Sequence, residues 1–106
     1  MSTAPTETAT VRDNPAAGRF EILEAGRLSG YTSYDAGEWS VVFVATSVDP
    51  GSPELRDRLL AEALDTVGGL GKAVLPECCC VARFIAEHEE YRDLVPEPRR
   101  AHFGLA

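Results

Sequence analysis

The chain has 106 residues, of which 44% are hydrophobic and 25% charged, so it can form one globular domain with a modest core and is too apolar to be wholly disordered. Its net charge of −7 argues against nucleic acid as a partner, because phosphate binding requires a concentrated basic surface. There is neither an apolar run of about 18 residues nor a secretory signal, so we expect no membrane partner and a cytoplasmic location.

The two ends of the chain differ from its middle in composition. Residues 1–13 are small and polar, and this composition predicts a disordered leader. A domain is predicted over residues 14–95. Residues 96–106 begin with two closely spaced prolines and are predicted to form a loosely held C-terminal tail.

Three strands are predicted in the first half of the domain. In residues 19–24, Phe20 and Ile22 alternate with charged residues, and a turn at Gly26 leads to a second strand over residues 27–34. A second turn at residues 35–37 precedes the run WSVVFVATSV over residues 39–48. This third strand is the most apolar, so we expect it to be central and covered on both faces.

A helix is predicted after the third strand. Ser52 as N-cap and Pro53 at the first helical position indicate its start, and Gly68-Gly69 indicates its end. Apolar residues recur at helical spacing at Leu55, Leu59, Leu60, Ala63, Leu64 and Val67. A fourth strand over residues 72–76, reached by this crossover helix, is expected to lie parallel to the third, and a shorter helix follows over residues 81–88. The fold class is therefore α/β (α+β), with a mixed sheet of antiparallel strands plus a parallel crossover strand and two main helices.

The three cysteines of the chain are consecutive, Cys78, Cys79 and Cys80. Adjacent residues rarely meet the geometry of a disulfide, which indicates a reducing compartment. Structural zinc sites use spaced ligand pairs, so no metal site is predicted.

A spaced motif follows the fourth strand, P-x-C-x-x-V-x-x-x-I-x-x-H-x-E-Y-x-x-L-V. It is formed by Pro76, Cys78, Val81, Ile85, His88, Glu90, Tyr91, Leu94 and Val95. The motif resembles the closing segment of the short, single-domain GNAT-like N-acetyltransferases of the GNAT superfamily. Asn14, residues 19–22 and Tyr31 are similar to the opening strands of that family, so the resemblance spans residues 14–95.

The resemblance implies a small GNAT-like fold that binds acetyl-CoA between two splayed strands and transfers the acetyl group to an amine acceptor. The acceptor and the oligomeric state stay unspecified. The main chain of Ser47 and Val48 would receive the pantetheine arm, and Cys78 would lie near the thioester. His88 or a water molecule would act as general base. The phosphates would face the N–H groups of Gly51, Ser52 and Leu55.

Two segments depart from the family pattern. The third strand ends in Ala45-Thr46-Ser47-Val48, where the family usually has His-Thr-Glu-Val. The helix is preceded by Gly51-Ser52-Pro53-Glu54 in place of a glycine-rich loop. Pro53 has no N–H to donate and Glu54 adds a negative charge, so acetyl-CoA binding is expected to be weakened or lost.

Each candidate site residue also has a structural interpretation. Ser52-Pro53 is an ordinary capped helix start, Cys78 can be a small buried apolar residue, and His88 can be a packed histidine. Cys79 and Cys80 are interpreted as packing residues. Two functions therefore stand side by side: an N-acetyltransferase with an impaired site, and a non-catalytic GNAT-like interaction module that has lost CoA binding.

Overall fold

The computed structural model describes residues 9–49 and 53–105, and in these ranges the fold is built on one five-stranded sheet. The strands lie in chain order. They are β1 (Ala9–Asn14), β2 (Arg19–Glu24), β3 (Arg27–Ala36), β4 (Ser40–Val48) and β5 (Ala73–Pro76). The first four pair antiparallel with their neighbours, and β5 pairs parallel with β4.

Three helices and a 3-10 segment complete the described chain. They are α1 (Pro53–Gly69), α2 (Cys79–Glu87), the 3-10 segment Glu89–Leu94 and α3 (Glu97–Arg100). The mixed sheet and the parallel crossover strand predicted from the sequence are thereby confirmed. No described helix has both the length and the apolar character needed to cross a membrane.

A two-residue turn joins β2 to β3 and fixes their register. Glu24 pairs with Arg27, and the two residues between them, Ala25 and Gly26, both have positive φ, 51° and 81°. Positive φ at both positions is typical of the type I′ turn, whose twist matches that of antiparallel strands. The register shifts once, between Leu23 and Ile22, and beyond the shift Phe20 and Ile22 lie on the buried side of the sheet.

The core lies between this side of the sheet and the helices. Alternate strand residues Phe20, Ile22, Val41, Phe43 and Val74 belong to the same buried cluster as the six predicted apolar residues of α1. Val81, Phe84 and Ile85 of α2 join that cluster. α1 contacts all five strands, whereas α2 contacts β4, β5 and α1.

The prediction that the most apolar strand is covered on both faces is wrong for its second half. Val44 is 54% exposed, and the pairing with β3 passes from Phe43 to Ala45 without it. An extra residue of this kind is a β-bulge, which bends the strand. The pairing of β4 with β5 ends at Phe43, directly before this bulge.

Both predicted ends are more ordered than expected. Residues 9–13 of the predicted leader belong to β1, which pairs with β2 along its whole length and buries Ala9. Residues 1–8 lie outside the described chain. In the predicted tail, α3 is followed by Leu105, which is 4% exposed and donates its N–H to the carbonyl of Arg100. Main-chain pairing holds the first segment, and Leu105 with Phe103 packs the second against the core.

One carboxylate is buried among the described strand residues. Glu21 is 2% exposed, with Oε1 2.8 Å from Nε of Arg12 and Oε2 2.7 Å from Nε of Arg19. Asn14 donates a third hydrogen bond to it. The hydrogen bonds from Arg19 and then Arg12 lower the pKa of Glu21, and the Asn14 hydrogen bond adds to them against the opposing effect of burial. The arginine side chains that cover the carboxylate are themselves partly exposed, so the carboxylate lies close to the surface.

Candidate functional site

β4 and β5 separate at the point where the bulge bends β4. Their paired residues end at Phe43 and Pro76, and the N–H of Cys78 donates the last bridging hydrogen bond to the carbonyl of Phe43, at 2.9 Å. From Ala45 to Val48 the strand is paired with β3 alone. A cleft therefore opens between the end of β4 and the start of α2.

A groove of about 390 Å³ occupies this cleft. It is lined by Thr46, Ser47, Val48, Asp49, Pro53, Arg56 and Cys80. A smaller cavity of about 110 Å³ between α1 and α2 shares Arg56 and Cys80 with it and adds Cys79 and Arg83 to the lining. The walls are thus the end of β4, the first turn of α1 and the first turn of α2.

Cys78 lies just before α2 and is hydrogen-bonded to Thr46, which lines the groove. Its side chain is 7% exposed, and its sulfur is 3.3 Å from Oγ1 of Thr46. Oγ1 of Thr46 is in turn 2.9 Å from Oγ1 of Thr32, which is fully buried. Three side chains, from β3, from β4 and from the residue just before α2, are therefore joined in one hydrogen-bonded row.

The surroundings of Cys78 favour its thiolate. Burial by itself raises the pKa of the thiol, but hydrogen bonds from the Thr46 hydroxyl, from the N–H groups of Val81 and Cys80, and from the Cys80 thiol together lower it below its ordinary value. The Cys78 side chain forms no capping hydrogen bond with α2, so the N–H groups of α2 affect the sulfur from a greater distance than the Thr46 hydroxyl does. Burial raises the pKa of Cys80, and the negative charge of Cys78 adds to that shift.

The three thiols face different surroundings: Cys80 packs against the core cluster, as interpreted, whereas Cys79 does not. Cys79 is exposed, Cys80 is half-buried and lines both cavities, and Cys78 belongs to the core. Because α2 begins at Cys79, successive side chains turn by roughly 100° about the helix axis. The thiol that faces the groove is therefore Cys80, and Cys78 lies beneath it.

His88 is not close to Cys78. It follows the last residue of α2, whereas Cys78 precedes the first, a separation of about 15 Å along a helix. Nδ1 of His88 is 2.8 Å from the carbonyl oxygen of Phe84, and its ring stacks on the Phe84 ring at 4.1 Å. Tyr91 packs near the same ring, and burial together with a hydrogen bond to Asp65 of α1 raises its pKa to about 12. These contacts fasten the C-terminal segment to the two main helices.

The predicted cofactor-binding residues lie in different settings. Ser47 and Val48 line the groove, and Leu55 contributes only its main chain because its side chain is 1% exposed and packs in the core. Gly51 and Ser52 lie outside the described residues. Pro53 is the first residue of α1 and lines the groove, and Glu54 is exposed in the same turn.

Sequence reasoning missed Thr32, Thr46 as a partner of Cys78, and the orientation of Cys80. The threonines are 14 positions apart, and Thr46 and Cys78 are 32 apart, so no local spacing signals their contacts. Among the described residues, no group of three or more histidine, cysteine or acidic side chains is arranged to hold a metal ion.

Comparison with known proteins agrees with the motif described above. Residues 19–94 match the family model described as GCN5-related N-acetyl-transferase. No curated protein gives a significant match. The match covers β2 to the end of the 3-10 segment, which includes every wall of the groove.

Proposed function

Because the chain belongs to the GCN5-related N-acetyltransferase family, we propose that it is an acetyl-CoA-dependent N-acetyltransferase with a weakened cofactor site and an amine acceptor. The observation that carries the proposal is the groove at the point where β4 leaves β5, with the first turns of α1 and α2 as its other walls. A strand edge that lacks a neighbouring strand offers main-chain groups to an extended amide chain.

The groove fits the arm of acetyl-CoA better than its phosphates. The main chain of Ser47 and Val48 is proposed to hold the amides of the pantetheine arm, since this part of β4 pairs with β3 alone. Acetyl-CoA supplies the acetyl thioester, whose C–S bond breaks as a C–N bond forms to the acceptor amine. At the start of α1, Leu55, with Gly51 and Ser52 ahead of it, is proposed to offer N–H groups to the phosphates. Pro53 offers none, and Glu54 places a negative charge beside them.

The thiols are proposed to form the thioester end of the groove. Cys80 faces the groove, and its raised pKa keeps it protonated at neutral pH, so it can donate a proton to the departing sulfur. Cys78 lies beneath it and supports it through the hydrogen bond between the two side chains. His88 is too distant to take part at this end, and a water molecule in the open groove is proposed to receive the proton of the amine.

Calorimetric titration with acetyl-CoA and with CoA tests the proposal. We expect weak binding by the natural chain and tighter binding by Pro53→Gly/Glu54→Gly, because the double variant restores an N–H group and removes a charge. Glu97→Gln, which removes a carboxylate on α3 outside the groove, is the control for net charge. Sub-micromolar affinity of the natural chain would contradict the weakened site, and an unchanged affinity of the double variant would contradict the placement of the phosphates.

A non-catalytic interaction module is the alternative that the first turn of α1 favours. Pro53 and Glu54 remove the donors and the charge balance that a diphosphate requires. This alternative predicts that neither the natural chain nor the double variant binds acetyl-CoA. An acetyl transfer assay with a panel of small amines then separates the two functions, because only the enzyme releases free CoA in proportion to acetylated amine.

A further inference from the structure

The row Thr32–Thr46–Cys78 connects the groove to the interior of the sheet. Thr32 is fully buried in β3, Thr46 lines the groove at the end of β4, and Cys78 lies between the groove and the core. The two oxygens are 2.9 Å apart, and the sulfur is 3.3 Å from Oγ1 of Thr46. Both separations are within the hydrogen-bonding range of their atoms.

The chemistry of a hydroxyl gives this row a direction. A threonine hydroxyl has one proton to donate and two lone pairs to accept with. In the structure the thiol of Cys78 donates to Oγ1 of Thr46, and either hydroxyl can be the donor between Thr46 and Thr32. Once the thiol has lost its proton, Thr46 can accept from Thr32 and donate to the sulfur instead. A sulfur that carries a negative charge accepts this hydrogen bond more strongly than a neutral thiol does, because charge-assisted hydrogen bonds are the stronger ones.

The residues next to Thr46 on β4 carry no charge that could act on the Cys78 sulfur. Ala45 and Ser47 flank Thr46, so this end of the strand has no ionisable side chain. In the described part of the chain, the Cys78 sulfur is hydrogen-bonded to the Thr46 hydroxyl, and its side chain forms no capping hydrogen bond with the first turn of α2. Thr46 is the partner that contributes from the sheet.

We propose that Thr46 is a positioning residue for Cys78, and that Thr32 orients the Thr46 hydroxyl so that it stabilises the sulfur of Cys78 when the thiol ionises. The inference deepens the proposed function, and its catalytic meaning rests on that function. When Cys78 is ionised, the thiol of Cys80, which lines the groove, is the donor in the hydrogen bond between the two side chains.

The test measures ionisation of Cys78 with no acetyl-CoA present. Cys79→Ser/Cys80→Ser is the parent, in which Cys78 is the sole thiol and a hydroxyl remains at position 80. The ultraviolet absorbance of the thiolate is followed across the pH range in the parent and in three variants of the parent that also carry Thr46→Val, Thr46→Ser or Thr32→Val. Valine keeps the shape of threonine without the hydroxyl, and serine keeps the hydroxyl. Ser47→Ala, which removes an exposed hydroxyl from the adjacent position of β4, is the control.

We expect the parent and Ser47→Ala to ionise below the pH of an ordinary thiol. Thr46→Val should shift the titration upward and slow alkylation by iodoacetamide at neutral pH by about tenfold, the effect of losing one charge-assisted hydrogen bond. Thr46→Ser should restore the parent profile, and Thr32→Val should give a smaller upward shift.

A parent that titrates like an ordinary cysteine overturns the inference, and this measurement needs no substitution in the row. An unchanged titration in folded Thr46→Val also overturns it, as does a shift that Thr46→Ser fails to reverse. Circular dichroism establishes that each variant is folded. The thiol titration contains no acetyl-CoA. The role of Thr46 can therefore be confirmed when acetyl-CoA fails to bind, and it can be refuted when acetyl-CoA binds.

Discussion

Substituting Gly30 by alanine tests how tightly the end of β4 is held against β3. Gly30 is buried and pairs with Val48, the last residue of β4. A Cβ added at Gly30 would lie 2.7 Å from Cγ2 of Val48, 2.9 Å from the carbonyl oxygen of Ser47 and 2.9 Å from Cα of Val48. The first contact can be relieved by rotating the valine side chain. The other two are with main-chain atoms, so β4 itself has to move.

The magnitude follows from these distances. Carbon atoms in ordinary contact are about 3.5 to 4.0 Å apart, so the end of β4 must shift by several tenths of an ångström or more. Overpacking of this kind costs about 1 to 3 kcal/mol of unfolding free energy. In a domain of about 100 residues, that corresponds to a decrease in Tm of about 5 to 15 °C. The same shift would disturb the wall of the groove formed by Ser47 and Val48.

Thermal unfolding followed by circular dichroism measures the effect, with Gly69→Ala as the matched control. Gly69 is the last residue of α1, and a Cβ there would meet nothing within 4 Å. Alanine is favoured over glycine in a helix by about 0.5 to 1 kcal/mol, so the control should melt at or slightly above the natural chain. If Gly30→Ala melts at the temperature of the control, the close approach of β3 and β4 at the groove is wrong.

Two further outcomes follow from the sheet. Glu21→Gln should lower the unfolding free energy by about 1 kcal/mol at neutral pH. Because Arg19 and Arg12 lower the pKa of Glu21, its contribution is fully present above the unfolded pKa and is lost as pH falls through the folded one, so urea unfolding of the two proteins should converge in acid. Removal of residues 1–8 should leave the Tm within a few degrees, whereas removal of 1–14 should lower it markedly, since β1 pairs along all of β2. A tolerated longer deletion would show that β1 adds little to the sheet.

The elements with strong periodicity could be predicted from the sequence. The apolar residues of α1 recur at helical spacing and all six are buried, and the end at Gly69 is observed where the paired glycines indicated it. β2 begins and ends as predicted because Phe20 and Ile22 alternate with charged neighbours. β1 could not be predicted, because an edge strand is held by main-chain hydrogen bonds and its sequence ATVRDN contains few apolar residues.

The location of the groove could be expected from the sequence more readily than the contacts of its individual side chains. The end of β4, the start of α1 and Cys80 line one groove, and the roles of the predicted site residues in it stay predictions. Which thiol lines the groove depends on where α2 begins, and α2 begins at Cys79, two residues before the predicted start. The contact between Thr46 and Cys78 depends on the bulge at Val44, which is a tertiary feature with no local signal.

The agreement between strand order and chain order bears on how the protein folds. β1 to β4 meet by closing three short hairpins, whereas β4 and β5 meet only across residues 49–72, which include α1. The entropy lost on closing a loop grows with its length, and contacts between distant residues form more slowly than local ones. The hairpins can therefore assemble first, with the crossover closing onto them afterwards. Since the groove lies where β5 joins β4, folding completes it last, on a sheet that is already four strands wide.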